Sequence, residues 1–277
     1  YKIYYYETEN LNYINGKVQA HVKELKLFEN NKKFYKIVNQ KFFDLSKANY
    51  ILMRQNPPFN MDYITATFFL EHLPKKVKVI NNPVSVRNVS EKFYSVNFLK
   101  YMPPTIFTKN ISEIKKFLKK YKKIVIKPIH GYGGKNILFI NKLINKIKIL
   151  NYIKKFDHVM VQKFIPQVTK GDKRVFIING LVKGAIQRVP QKGSFISNLA
   201  QGGKATKTKL NYRELKISKT IAKHLKKSKI FFAGIDLVSN YLIGDINVTS
   251  PTGLKNFKDL SGVNLAEDFW NNLEKLK

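Results

Sequence analysis

The sequence predicts a mixed α/β (α+β) protein of two domains, on three observations. The 277 residues are enough for two hydrophobic cores. Residues 48–80 read strand, helix, strand, the pattern of a parallel α/β unit. From about Ser85 onward the rhythm changes to short strands with glycine or turn residues between several of them. One domain is expected to give way to the second near that change of rhythm.

Each element has a local reason. The segment 34–43 is amphipathic and short. Residues 48–54 form an apolar strand ending in a charge, and Pro57-Pro58 breaks it, because proline lacks an amide donor and restricts its predecessor. Residues 62–72 have helical spacing, and 77–80 form another apolar strand. A helix is expected over 90–99 with Ser90 as its N-cap, stopped by Pro103-Pro104. A short strand follows at 105–108. Asn110-Ile-Ser-Glu113 has the form of a capping box and opens a lysine-faced helix to Tyr121. Further strands are expected at 124–127, 137–140, 159–164, 175–178, 182–188, 234–238 and 242–247. The polar, glycine-bearing stretch 190–204 is long for a mere connection and suits a lid.

Charge is the unusual feature of the composition: 51 Lys+Arg against 18 Asp+Glu, a net +33. Such a balance raises the question of nucleic acid. Arginine, however, stands only at 54, 87, 174, 188 and 213, and the remaining cations are lysines spread over every segment, with no basic tail and no single dense stripe. With Asn, Ile, Tyr and Phe also abundant, the charge reads as compositional bias, and no specific nucleic-acid partner is expected. Where lysine is the default cation, a retained arginine marks a place that needs a planar fork for a carboxylate or phosphate. Arg213, in a polar helix start, is the exception.

There is no cysteine, which excludes disulfides, thiolate metal sites and a cysteine nucleophile, and accords with a reducing cytoplasm. No apolar run reaches the roughly 18 residues of a membrane span, so no membrane partner is expected. The chain opens at Tyr1 and not at Met, and a preceding N-terminal piece is expected.

Three constellations carry chemistry. In Ile126-Lys127-Pro128-Ile129-His130-Gly131-Tyr132-Gly133-Gly134-Lys135, a lysine ends a strand and three glycines lead into the next. Glycines let a backbone approach polyphosphate with its N–H groups inward, although an ordinary glycine hairpin has the same form. The spacing is not that of a Walker loop. The second constellation joins Gly234-Ile-Asp236 to Gly244-Asp245-Ile-Asn247. Asp245 and Asn247 share a strand face by alternation, and oxygen donors of this kind suit Mg²⁺. The third is Val161-Gln162-Lys163-Phe164-Ile165-Pro166 with Gly171-Asp172-Lys173-Arg174. Its strand backbone could meet an adenine edge, Asp172 a ribose hydroxyl, and Arg174 a transferred phosphoryl group.

Taken together, a lysine before a glycine hairpin, a hinge strand, an arginine strand and a closing D…(D/E)-x-N resemble the ATP-grasp fold. Order and spacing are similar to those of the bacterial glutathione synthetases. The resemblance runs over nearly the whole chain, through 51–54 with Pro57-Pro58-Phe59, Asn82-Pro83 to Glu91-Lys92, Arg188-Val-Pro190 and Asn198-Leu-Ala-Gln-Gly-Gly203. The string Ile246-Asn-Val-Thr-Ser-Pro-Thr252 is the most specific part.

The resemblance implies an N-terminal pre-ATP-grasp substrate domain over 1–88, lacking its first βα unit, and an ATP-grasp domain over 89–277, with an ATP-lid subdomain at 89–160 and a metal-and-substrate subdomain at 161–277. It implies that Lys92 and Lys127 hold the ATP phosphates under the loop Gly131, Tyr132, Gly133 and Gly134. Gln162, Lys163, Phe164 and Ile165 would line the adenine site, with Asp172 on the ribose. Asp236, Asp245 and Asn247 would hold Mg²⁺ (or Mn²⁺), and Arg174 and Arg188 would face the acyl phosphate. Arg54, Arg188, Asn198, Ser250 and Thr252 would seat the peptide.

The implied reaction is ATP-dependent ligation of γ-glutamylcysteine to glycine, with Lys127, Arg174 and Arg188 as catalytic cations. The resemblance also implies a homo-oligomer. Three departures stand out: Asp245 in place of a common glutamate, His130 in place of a frequent aspartate, and no arginine just before Asn198, where Lys192 or Lys204 would compensate. The residues leave open an ATP-grasp ligase for another acid and amine.

Overall fold

In the computed structural model, residues 1–29, 33–141, 146–194 and 196–276 are described. The chain forms two compact units, Tyr1–Arg87 and Asn88–Lys277.

The first unit is built mainly on an antiparallel sheet. Its strands are β1 (Ile3–Tyr5), β2 (Leu11–Ile14), β3 (Lys17–Leu27) and β4 (Tyr35–Asp44). The eleven-residue β3 is central: β2 and β1 pair with successive stretches of it, and β4 pairs along nearly its whole length. Asn15 and Gly16 both take positive φ in the β2–β3 turn, the two-residue Asn-Gly geometry whose twist matches a hairpin. The amphipathic segment 34–43 is thus a strand, and most of it is exposed.

The expected strand–helix–strand follows as β5 (Tyr50–Leu52), α1 (Met61–Glu71) and β6 (Lys78–Ile80), and β5 and β6 are parallel. Asn60 caps α1 by accepting the amide of Tyr63 at 3.0 Å. The helix α2 (Pro83–Asn88) carries Arg87, which bonds Glu71 and Thr67 at 2.5 and 3.0 Å and lies over the Phe68 ring. The carboxylate expected beside this arginine is therefore one of the protein's own.

The second unit holds two antiparallel sheets. In chain order its elements are β7 (Thr105–Thr108), α3 (Ile111–Tyr121), β8 (Ile124–Pro128), β9 (Leu138–Ile140), α4 (Lys146–Phe156), β10 (Val159–Lys163), β11 (Asp172–Ile178), β12 (Leu181–Val189), β13 (Lys204–Lys207), α5 (Tyr212–Lys227), β14 (Phe232–Val238), β15 (Tyr241–Asn247), α6 (Leu254–Ser261) and α7 (Leu265–Glu274). One sheet has the order β7-β10-β8-β9 and the other β13-β12-β11-β14-β15.

The first of these sheets packs on α3, whose Ile114, Phe117 and Leu118 recur at helical spacing and are buried with Ile124, Ile126 and Val161. Each fully buried side chain of this size contributes roughly 1.5–3 kcal/mol. The lysines of α3 occupy its other face. The second sheet turns back on itself at Asn179-Gly180 and at Ser239-Asn240, all with positive φ. Helix α5 begins with a full capping box, Asn211 accepting the Glu214 amide and Glu214 accepting that of Asn211, each at 2.9 Å.

Two local expectations are corrected. Residues 90–99 do not form a helix capped by Ser90: a 3-10 helix spans Phe93–Tyr101, interrupted at Phe98 (φ −127°, ψ 22°). Its aromatic positions are drawn to separate partners, with Phe98 buried while Phe93 stays exposed and packs on Phe107. The capping box at Asn110 is only half formed. Asn110 accepts the Ser112 amide, but Glu113 is taken by Lys116 at 2.7 Å.

Candidate active site

The centre of the site follows from strand register. Asp172 and Arg174 are two apart on β11 and so share a face. Arg174 stands opposite Asp236 on β14, and Asp172 opposite Arg188 on β12. Each pair closes by two bonds: Arg174 Nε and Nη2 to Asp236 at 2.5 and 2.9 Å, Arg188 Nε and Nη2 to Asp172 at 2.7 and 2.6 Å. Arg188 Nη2 also lies 2.9 Å from Asp236 Oδ2, which joins the pairs into one layer.

All four residues are buried, none more than 5% exposed. Desolvating four charges offsets most of their attraction, so the layer adds little net stability and serves chiefly to fix the two guanidinium groups. Burial would raise the Asp236 pKa, but Arg174 and Arg188 overcome it and hold the carboxyl well below the usual range. For Asp172 burial wins over Arg188, and its pKa is raised. Arg174's aliphatic stem passes close to Gly234, where a Cβ would stand 2.8 Å from Arg174 Cδ.

Lys127 projects from β8 toward the same region. Its ammonium donates to the Ile243 carbonyl at 2.9 Å and to Gln162 Oε1 at 3.3 Å, and Gln162 Nε2 in turn donates to Thr105 at 2.9 Å. Both acceptors are neutral, and burial lowers the lysine's pKa despite the pull of Asp245. Lys92 donates to the Gly131 carbonyl and lies 3.2 Å from Asp245. The glycine turn between β8 and β9 takes positive φ at Gly133 and Gly134. The expected lid reaches it: Gln201 donates to the Gly133 carbonyl, and Ser197 donates to Asp172 at 2.7 Å. Residue 195, within that stretch, lies outside the described residues.

A bulge in the β14–β15 ladder sets the last carboxylate. Ile235 pairs with Ile246 but Leu237 with Leu242, so Asp236 faces three residues, Ile243 to Asp245. Gly244 at its middle has φ +98°, and a Cβ there would come within 2.4 Å of Met160. The bulge turns the Ile243 carbonyl to Lys127 and leaves Asp245 and Asn247 on one strand face.

These groups line one cleft. It brings together Lys92, Lys127, Gly131, Tyr132, Gly133, Gly134, Gln162, Lys163, Phe164, Ile165, Asp172, Arg174, Arg188, Asn198, Asp236, Asp245 and Asn247. Ser250 and Thr252, in the chain beyond β15, are not in its wall, and Arg54 belongs to the first unit. At the hinge, the amides of Lys163 and Phe164 already donate to the carbonyls of Pro104 and Lys123, both at 2.9 Å.

Glu91, Ser197 and the Ile243 carbonyl also line the cleft, though the sequence assigned none of them a role there. Gly244, a glycine inside a strand pattern, was the signal for the bulge that exposes that carbonyl.

The donor set fits a hard divalent cation. Among the residues lining the cleft there is neither histidine nor cysteine, and the candidate ligands are two carboxylates and an amide. The Asp236 carboxylate accepts three bonds from guanidinium groups, leaving about one of its four lone-pair sites. Asp245, about a quarter exposed, faces the cleft.

Comparison with known proteins identifies the family and the fold. The family model of the prokaryotic glutathione synthetase ATP-grasp domain matches residues 91–262, and that of the N-terminal domain of the same enzymes matches residues 1–87. Glutathione synthetase of Mesorhizobium japonicum is 34% identical over 99% of this chain and 88% of its own length. That of Buchnera aphidicola is 38% identical, over 99% and 86%. Among solved structures, the ATP-grasp ligase PsnB with a phosphomimetic variant of its minimal precursor, Mg and ADP superposes with a TM-score of 0.63 at 13% identity, covering 90% of this chain and 84% of that one. D-cycloserine synthetase DcsG superposes at 0.60 with 15% identity, covering 76% and 78%. These two likenesses show the fold. With an ATP-grasp fold and family models matching both units, the chain is an ATP-dependent ligase that belongs to the prokaryotic glutathione synthetase family.

Proposed function

We propose that this chain joins γ-glutamylcysteine to glycine at the expense of ATP, with the cleft of the second unit as the phosphoryl-transfer site. The observation that carries the reading is convergence. Two carboxylates from adjacent strands and four cations, Lys92, Lys127, Arg174 and Arg188, meet around one cavity that also includes a glycine turn.

Residues 1–88 serve as the substrate domain, 89–160 as the ATP lid and 161–277 as the metal and substrate part. Lys92 and Lys127 hold the phosphates beneath the glycine turn. Gln162 to Ile165 flank the adenine, and Asp172 is the candidate ribose contact. The cysteinyl carboxylate attacks the γ-phosphoryl group, the bond to the β,γ-bridging oxygen breaks and ADP leaves, with the developing charge met by Lys127 and Arg174. Glycine's amine then attacks the acyl carbon, a tetrahedral oxyanion forms beside Arg188, and it collapses with loss of phosphate and of the amine's proton, which leaves with the phosphate. Arg54, Asn198, Ser250 and Thr252 are assigned to the peptide. The stretch 190–204, tied to Asp172 through Ser197, keeps water from the acyl phosphate.

Asp236, Asp245 and Asn247 would hold Mg²⁺ or Mn²⁺, which supplies charge neutralisation on the phosphates. The reaction is assigned to the cytoplasm as part of this proposal, because ATP is supplied there.

The test is phosphate release with γ-glutamylcysteine, glycine and ATP, each omitted in turn. Release that needs all three supports the reading. Release that persists without the dipeptide or without glycine, or appears only with another acid and amine, overturns it.

A further inference from the structure

Glu91 has no place in the reaction as described, yet it lines the cleft. Its Oε1 accepts the Thr249 hydroxyl at 2.8 Å and the amides of Val248 and Thr249 at 3.2 and 3.4 Å, and its own carbonyl accepts the Ile246 amide at 3.2 Å. These amides belong to the end of β15 and the chain just past it. Val248 is completely buried, so its N–H must find a partner inside the protein. The next residue, Lys92, reaches the Gly131 carbonyl and Asp245. Two consecutive side chains therefore tie the glycine turn to both ends of the segment 245–249.

We infer that Glu91 is a positioning residue for the ligation. By accepting the Val248 and Thr249 donors it fixes the chain leaving β15, and with it the spacing of Asp245 and Asn247 from Lys92. The inference rests on the proposed role of that strand as the metal and phosphate edge of the cleft. A carboxylate oxygen suits the task because one acceptor can serve several converging donors. A glutamine side chain at this position would retain a carbonyl oxygen of the same reach, whereas alanine would remove the acceptor shared by the Val248 and Thr249 amides and the Thr249 hydroxyl.

The experiment compares the full chain with Glu91→Gln, Glu91→Ala and Thr249→Val, reading Mn²⁺-dependent ADP binding by calorimetry and the melting temperature. Expected is a tenfold or greater weakening for Glu91→Ala in the presence of Mn²⁺, with Glu91→Gln within about threefold of wild type and Thr249→Val between them. Metal-free ADP binding should change less than threefold in all variants. If Glu91→Ala does not fold, the same ordering of wild type, Glu91→Gln and Thr249→Val decides.

Equal metal-dependent affinity in all folded variants would overturn the inference. So would a loss in Glu91→Gln as large as in Glu91→Ala, or a fall in melting temperature with no change in the metal-dependent part. This readout needs no turnover. Failure of the phosphate-release assay in the wild type, with the binding order intact, would instead count against the proposed substrates.

Discussion

Arg174 and Asp236 face each other across β11 and β14, and their side chains meet through two bonds of 2.5 and 2.9 Å. The pairing holds a guanidinium group rigidly at the wall of the cleft. Lysine at 174 would keep the charge but lose the fork that makes both bonds at once. Arg174→Lys is expected to cost roughly 2–4 kcal/mol of transition-state stabilisation, the scale of one electrostatic donor. The comparison of kcat/KM by phosphate release checks it, and a change below twofold would remove Arg174 from the chemistry.

Asp245 is different in kind, since it lies at the cleft surface and, among the described residues, pairs with Lys92 at 3.2 Å. Asp245→Ala should abolish turnover while the melting temperature stays within a few degrees of wild type. Near-normal activity in a folded variant would exclude this carboxylate from the metal site.

Gly234 tests the packing behind the arginine. A methyl group there would lie 2.8 Å from Arg174 Cδ, in a strand buried along its whole length. Gly234→Ala should lose about 1–3 kcal/mol of stability by overpacking. It should also lower kcat, because the arginine must move. Urea unfolding and steady-state kinetics measure the two effects, and normal values for both would show that the side chain relocates freely.

Lys127 sets a pH dependence. Burial lowers its folded-state pKa below the unfolded value of 10.5. Between those two values the unfolded chain binds a proton that the folded chain has released, so stability rises with pH across that window. Wild type should therefore gain stability relative to Lys127→Met as pH is raised toward 10.5, measured by urea unfolding at successive pH values. A constant difference between the two proteins would mean that the folded-state pKa is not lowered.

Much of the second unit was legible in the amino-acid order. The strands around Lys127, Arg174 and Asp236 announce themselves as apolar runs. The sharing of one face by Asp245 and Asn247 follows from alternation, and the scarcity of arginine in a lysine-rich chain singled out Arg174 and Arg188. The N-terminal sheet was far less legible, because most of β4 is exposed and its sequence carries little inward–outward contrast.

What the linear order determined, then, was the chemical inventory: which cations, carboxylates and glycines exist, and on which strands. Which of them touch was decided by tertiary structure alone. Cross-strand register puts Asp172 opposite Arg188 and Arg174 opposite Asp236, and the bulge at Gly244 aims the Ile243 carbonyl at Lys127, 116 residues away in the chain. Glu91 at the end of β15 is likewise a meeting of residues 157 and 158 apart. Local propensity acts over a few residues, whereas partners this distant are chosen only when packing and buried hydrogen-bond satisfaction are settled for the whole unit.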